Sequence, residues 1–217
     1  MYSKLQYISQ GNTADEQLLN ISEVLDAGCD WIQLRFKNAS ETDLKNVAGK
    51  VKLLCENYGA ALIINDHVEL VKEIDADGVH LGLDDMSVAQ ARSILGNTKI
   101  IGGTANTIDH VLKRVEEKCD YIGLGPFRFT STKEKLSPVL GVEGFEKIMN
   151  ELRKKDIIIP VYAIGGIILD DLPRGGPFGE SIMDTGVYGI AVSGIIANNL
   201  DKRNIIEQLN NSLYANS

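Results

Sequence analysis

Cysteine is scarce in this chain, with three in 217 residues: Cys29, Cys55 and Cys119. An odd number with no CxxC spacing offers neither a disulfide framework nor a zinc site, and the expectation is three buried thiols in a reducing compartment. Histidine is as sparse. His67, His80 and His110 have no Ser-His-Asp arrangement around them, so a hydrolase triad is not expected and none is assigned a catalytic role. Positive charge is also short, with 22 Lys and Arg against 30 Asp and Glu and a net charge of -8. Such a surface does not suit nucleic acid or an anionic membrane, although a local pocket of cations and backbone amides can still hold a small anion. No apolar run reaches membrane-spanning length, and Met1 to Leu5 is not a basic segment leading into an apolar one, so a cytoplasmic location is expected. Low-complexity stretches and linkers are missing too, and one domain over residues 1–217 is the expectation.

What is present is a recurring phrase. Asp26-Ala-Gly-Cys-Asp30 runs into Trp31-Ile-Gln-Leu-Arg35, and Ile74-Asp-Ala-Asp77 into Gly78-Val-His-Leu-Gly82. Lys118-Cys-Asp120 runs into Tyr121-Ile-Gly-Leu-Gly125, and Thr185-Gly-Val-Tyr188 into Gly189-Ile-Ala-Val-Ser193. Each reads as a helix end, a turn, and a short buried strand. Leu5 to Ser9, Ala61 to Ile64, Ile100 to Gly103 and Ile157 to Ala163 supply four more strands. Helical patterns over 15–27, 41–58, 68–74, 87–95, 107–118, 142–154 and 202–213 alternate with them, with Asp, Ser or Thr near their starts as caps. Eight βα units at this length predict an α/β fold of the closed (β/α)₈ TIM-barrel type. The competing open doubly wound sheet is weakened because no G-x-G-x-x-G follows the first strand. The Gly- and Pro-rich stretch 171–183 reads as a loop that replaces or shortens one helix.

Active sites of such barrels lie at the C-terminal strand ends. The second strand ends Gln33-Leu-Arg35-Phe-Lys37, and the two-residue period puts Gln33, Arg35 and Lys37 on one face. An amide and two cations at a barrel mouth make an anion site, with Arg suited to bidentate phosphate contact. The third and fourth strands end in Asn65-Asp66 and in a run reaching Asp85. Carboxylates at neighbouring strand ends suit Mg²⁺, although either one alone reads as a helix cap. After strand six, Thr130, Thr132 and Lys133 offer hydroxyls and a cation to a phosphate. Strand seven ends in Gly165-Gly166 and strand eight in Val192-Ser193-Gly194, the place where barrels commonly cradle phosphate on backbone amides. Two anion sites follow: one with metal character, as a pyrophosphate needs, and one plain phosphate cradle.

These motifs, in this order and over nearly the whole chain, resemble the thiamine phosphate synthase family. The resemblance rests on Gln33-x-Arg35-x-Lys37, Asn65-Asp66, Gly78-Val-His-Leu-Gly82 with Asp85, Tyr121-Ile-Gly-Leu-Gly-Pro126 with Thr130-Ser-Thr-Lys133, and Ala163-Ile-Gly-Gly166. It implies that Gln33, Arg35, Lys37, Asn65 and Lys133 bind an aminopyrimidine pyrophosphate, and that Thr104, where the family usually has Ser at the end of strand five, is also substrate-binding. It implies Asp66 and Asp85 as ligands of a Mg²⁺ cofactor. Thr130, Thr132, Gly166, Val192 and Ser193 would bind a thiazole phosphate, and Arg35, Lys133 and Thr104 would form the catalytic set. The implied reaction is metal-assisted departure of pyrophosphate and capture of the pyrimidine methylene cation by the thiazole nitrogen. The implied partners are these small molecules, not nucleic acid or membrane, with assembly into a homo-oligomer left open. The chain departs from the family pattern in three places: the stretch 171–183, Leu83 where a polar residue is frequent, and a strand eight one residue shorter before Ser193. A thiazole tautomerase of the same fold would carry a His after strand five, where this chain has Asn106. A non-catalytic precursor-binding barrel would have no use for the two carboxylates, and the same set suits an unrelated phosphate-binding barrel poorly.

Overall fold

Polar residues at the starts of five helices decide where those βα units turn. The computed structural model describes residues 2–129, 138–172 and 181–215. The strands are β1 (Leu5–Ile8), β2 (Trp31–Leu34), β3 (Ala61–Asn65), β4 (Gly78–Leu81), β5 (Ile100–Ala105), β6 (Tyr121–Leu124), β7 (Val161–Ile164) and β8 (Gly189–Val192). They pair in parallel and in chain order, and β8 closes onto β1 through Leu5 with Ile190 and Tyr7 with Val192. The barrel expected from the alternating pattern is therefore the fold.

The helices are α1 (Ala14–Asp26), α2 (Glu41–Tyr58), α3 (Val68–Ile74), α4 (Val88–Leu95), α5 (Ile108–Glu116), α6 (Gly141–Lys154), the one-turn α7 (Gly194–Ala197) and α8 (Lys202–Tyr214). Thr13, Ser40, Ser87, Thr107 and Asp201 each accept a hydrogen bond from an amide in the first turn that follows. Caps of this kind stabilise by about 1 kcal/mol each.

Alternation along each strand separates two apolar layers. Residues such as Ile32, Leu34, Leu62, Ile64, Val79 and Leu81 point outward and pack with the helices. Trp31, Ile63, Tyr121, Tyr162 and Ala191 point inward and fill the barrel. Three of these inward groups are large rings, packed edge to face at 4.9 to 5.6 Å between centroids. Gly102 makes room for them, since a Cβ there would lie 2.2 Å from the Tyr121 ring. The lower barrel is thus a solid plug, and the hollow is confined to the C-terminal end.

Two local expectations shift. The strand read from Ile157 begins only at Val161, because Pro160 has no N–H to give a ladder and Ile158 is 99% exposed. Between β7 and β8 the described residues form two one-turn 3₁₀ segments, Leu169–Asp171 and Ile182–Thr185, in place of a full helix. Most of the stretch 171–183, read as a loop that replaces or shortens a helix, lies outside the described residues. The one-turn helix α7 was not foreseen, since four residues carry too little periodicity to register.

Candidate active site

The mouth of the barrel holds a cavity of about 870 Å³. Gln33, Arg35, Lys37, Asn65, Asp66, Asp85, Thr104, Gly166, Val192 and Ser193 all line it, gathered from six strand ends. Thr130, Thr132 and Lys133 lie outside the described residues.

On the β2–β4 side the site is built from charged side chains. Arg35 and Lys37 follow β2 on its inward face, above Gln33. Asp66 follows β3 with φ at +67°, a left-handed conformation that turns it out of the strand. Helix α3 starts with His67 as its cap and no side-chain cap bond, while α4 is capped by Ser87. Neither Asp66 nor Asp85 therefore serves as a helix cap, which removes the structural explanation available to each in the sequence. Asp85 instead turns back and accepts from the Gly82 amide at 2.6 Å.

The electrostatics of this side are those of carboxylates and cations set close together. Burial raises the Asp66 carboxyl first, the hydrogen bond and charge of the adjacent Asp85 raise it further, and Lys37 and Arg35 oppose them; the net effect pushes it up to about 7. Half-buried Asp66 stands beside exposed Asp85, and two such carboxylates repel each other unless a proton or a metal lies between them. Burial lowers Arg35 while the charge of Asp66 pulls it back up, so cation and carboxylates are poised against each other. Among the described residues no group of three or more His, Cys, Asp or Glu could hold a metal. Two carboxylates with the remaining positions left to phosphate oxygens and water is the usual habit of Mg²⁺.

The β6–β8 side is built from backbone. Gly166 has φ at +71°, and a Cβ there would meet the carbonyl oxygens of Arg128 and Phe129 at 2.8 Å. The loop after β6 is tied to β7 by Phe127 N donating to Ile164 O at 2.8 Å and Arg128 N donating to Gly165 O at 2.9 Å. The glycine pair that sequence reading gave to phosphate approach is thus also required where two loops touch. Ser193 sits at the start of α7, 3.3 Å from the Gln10 side-chain oxygen.

Several residues at the cavity show their contacts only in the fold. Arg128 reaches the cavity and pairs with the buried Asp171 at 2.6 Å, an ion pair across two loops that no periodicity reveals. Asn106, 6% exposed, donates its amide to Gly125 O, and its Oδ1 has no hydrogen-bond partner among the described residues. Arg114 of α5 is buried behind the wall, where it donates to Thr104 O at 3.1 Å and Gly82 O at 2.8 Å and so holds two lining segments from outside. His80, read as structural, also lines the cavity, 3.0 Å from Thr104 Oγ1 and 3.0 Å from the Tyr121 hydroxyl. Cys29, Cys55 and Cys119 are buried, with their thiols pushed up to about 12 chiefly by that burial, so they are unreactive packing groups.

Fold and mouth together define a (β/α)₈ barrel enzyme for anionic substrates, with a carboxylate and cation side facing a glycine-rich side. Comparison with known proteins narrows the class. The family described as thiamine monophosphate synthase matches residues 5–196. The thiamine-phosphate synthase of Flavobacterium johnsoniae is 56% identical over 216 residues, covering 100% of this chain and 99% of that protein. That of Flavobacterium psychrophilum is 56% identical over 98% of this chain and 100% of its own length. Among solved structures, the thiamine phosphate pyrophosphorylase of Pyrococcus furiosus superposes with a TM-score of 0.83 at 30% identity, covering 98% of this chain and 96% of that one. This chain belongs to the thiamine monophosphate synthase family, and its activity is that of a thiamine-phosphate synthase.

Proposed function

We propose that the two sides of the mouth divide the substrates of thiamine-phosphate synthesis between them, within one barrel domain spanning residues 1–217. Gln33, Arg35, Lys37, Asn65, Thr104 and Lys133 hold an aminopyrimidine pyrophosphate. Gly166, Val192, Ser193, Thr130 and Thr132 hold a thiazole phosphate. The observation that carries this reading is the segregation itself: Arg35, Lys37 and the carboxylates Asp66, Asp84 and Asp85 lie on adjacent strand ends, opposite a glycine-rich wall whose one described cation, Arg128, is paired with Asp171.

Asp66 and Asp85 hold Mg²⁺, which when bound neutralises charge on the pyrophosphate. Arg35 and Lys37 donate charge-assisted hydrogen bonds to the same group from the inward face of β2, so charge developing on departing pyrophosphate meets two cations beside it. The C–O bond to pyrophosphate breaks, and the electron-rich pyrimidine carries the resulting methylene cation. The thiazole nitrogen, placed opposite by its phosphate, donates its lone pair to form the new C–N bond. Positioning and electrostatics suffice, because that nitrogen has no proton to lose. Asn106 at the end of β5, where a tautomerase of this fold would carry a His, favours the synthase over that reading.

The test is incubation with aminopyrimidine pyrophosphate, thiazole phosphate and Mg²⁺, with thiamine phosphate read by the fluorescence of its oxidation product. Product that vanishes on adding EDTA is expected. Binding of both ligands with no product would instead mark a non-catalytic binder.

A further inference from the structure

A chain of buried polar side chains crosses the barrel beneath the cavity. Gln33 Nε2 donates to Gln6 Oε1 at 3.3 Å, and Gln6 Nε2 donates to the Tyr121 hydroxyl at 3.3 Å. Tyr121 Oη lies 3.0 Å from His80 Nδ1, and His80 Nε2 lies 3.0 Å from Thr104 Oγ1. All five residues are between 0% and 7% exposed. In so dry a setting a donor facing a donor is costly, so the direction of each bond constrains the next.

The direction can be followed by counting protons. The Tyr121 hydroxyl accepts from Gln6, so its one proton goes to the neighbour that can take it, His80 Nδ1. An imidazole whose Nδ1 accepts is neutral and carries its proton on Nε2. That proton is donated to Thr104 Oγ1. Threonine also has a single hydroxyl proton, and with its oxygen already accepting from His80, that proton is directed away from the ring. Thr104 lines the cavity, so the proton points to where substrate binds.

We infer that Tyr121 and His80 are positioning residues that make the Thr104 hydroxyl a hydrogen-bond donor aimed at an acceptor atom of the pyrimidine pyrophosphate. The inference rests on the reading that Thr104 touches that substrate. It gives a use to a histidine and a tyrosine that lie behind the reacting groups, and it sets a requirement beyond packing. Filling the barrel needs only rings of this size, whereas orienting Thr104 needs the tyrosine oxygen and one particular histidine tautomer.

The deciding measurement is the tautomer of His80 at neutral pH, read from two-bond ¹H–¹⁵N correlations of histidine-labelled wild-type protein and assigned by loss of its signals in His80→Asn. A proton on Nε2 with a bare Nδ1 is expected. A proton on Nδ1, alone or on both nitrogens, reverses the chain and overturns the inference. Tyr121→Phe keeps the ring contacts and removes the hydroxyl, taking away both the donor to Nδ1 and the acceptor of the Gln6 amide. It is expected to spread the His80 proton over both nitrogens and lower kcat/KM for aminopyrimidine pyrophosphate about tenfold, the scale of one misdirected hydrogen bond, with thiazole phosphate affinity held within about twofold. Wild-type kinetics in Tyr121→Phe would also overturn it. Thr104→Ala separates this inference from the reading beneath it. Unchanged aminopyrimidine pyrophosphate affinity in Thr104→Ala, measured by calorimetric titration, refutes the contact itself. A loss there that Thr104→Ser restores, beside the expected tautomer and Tyr121→Phe defect, supports both.

Discussion

The two sides of the barrel mouth are made of different materials. On the β2–β4 side the functional groups are side chains: Arg35 and Lys37 on an inward strand face, with Asp66 and Asp85 turned toward one space. On the β6–β8 side the shape comes from backbone, with Gly166 pressed against the carbonyls of Arg128 and Phe129. A side-chain site tolerates substitution structurally and fails chemically. A backbone site is expected to do the reverse, failing through shape. Variants on the two sides should therefore separate binding and chemistry from stability.

The largest expected effect is at Asp66. Asp66→Ala removes the half-buried member of the adjacent Asp66 and Asp85 carboxylates, so Mg²⁺-dependent turnover should fall on the order of 10³-fold, the scale of losing a preorganised electrostatic group. The fold should survive, since Asp66 caps no helix. Without metal the variant should melt no lower than the wild type, because relief of repulsion from Asp85 offsets the lost contacts. Added Mg²⁺ should raise the wild-type Tm by mass action and leave the variant unmoved. A variant that stays active, or whose melting responds to Mg²⁺ as the wild type does, takes Asp66 out of the metal site.

Arg35→Ala comes next and tests the division of substrates. A hydrogen bond to a charged group contributes about 1.5–3 kcal/mol, so affinity for aminopyrimidine pyrophosphate should drop about 10–100-fold. Thiazole phosphate, held across the cavity, should bind within about threefold of wild type on the same scale. Equal losses in calorimetric titrations of the two ligands would break the comparison between the two sides.

The same contrast explains what could be read before any coordinates. The barrel was legible because turn residues followed by short apolar runs recur at four αβ junctions, and apolar β-branched runs between them supplied the other four strands. The charged side was legible because the two-residue period puts Gln33, Arg35 and Lys37 on one face. The roles of Asp66 and Asp85 were ambiguous in sequence, since an Asp before a helix is also a cap; only the capping by Ser87 and the uncapped start at His67 separate the readings. His80 and Asn106 were noted in the sequence without their contacts, and Arg128 was not read at all. His80 looks like a lone strand histidine until Tyr121 and Thr104 arrive from other strands, and Arg128 acquires a partner only through Asp171, 43 positions away. Contacts between distant segments leave no local pattern. The glycines were seen, but their packing duty was not, because a sequence does not show which loop will lie against which.

Gly166→Ala carries the smallest expected effect on chemistry and the clearest one on structure. The residue sits at a φ of +71°, and the added methyl would come within 2.8 Å of two carbonyl oxygens. Backbone atoms cannot swing aside as a side chain end can, so the loop after β6 has to move. Left-handed strain alone costs roughly 1–2 kcal/mol, and in a domain of this size that lowers Tm by about 3–8 °C. Displacement of the Arg128 and Phe129 carbonyls should widen the cavity wall that faces the thiazole phosphate, raising KM for that substrate about tenfold while kcat at saturation and the KM for aminopyrimidine pyrophosphate change by less than about threefold. Thermal melting and two-substrate kinetics on one preparation check both halves. A variant that loses turnover at saturation with its Tm intact would show that this wall acts on the reacting groups themselves, and the contrast between a chemical side and a shaping side would fall.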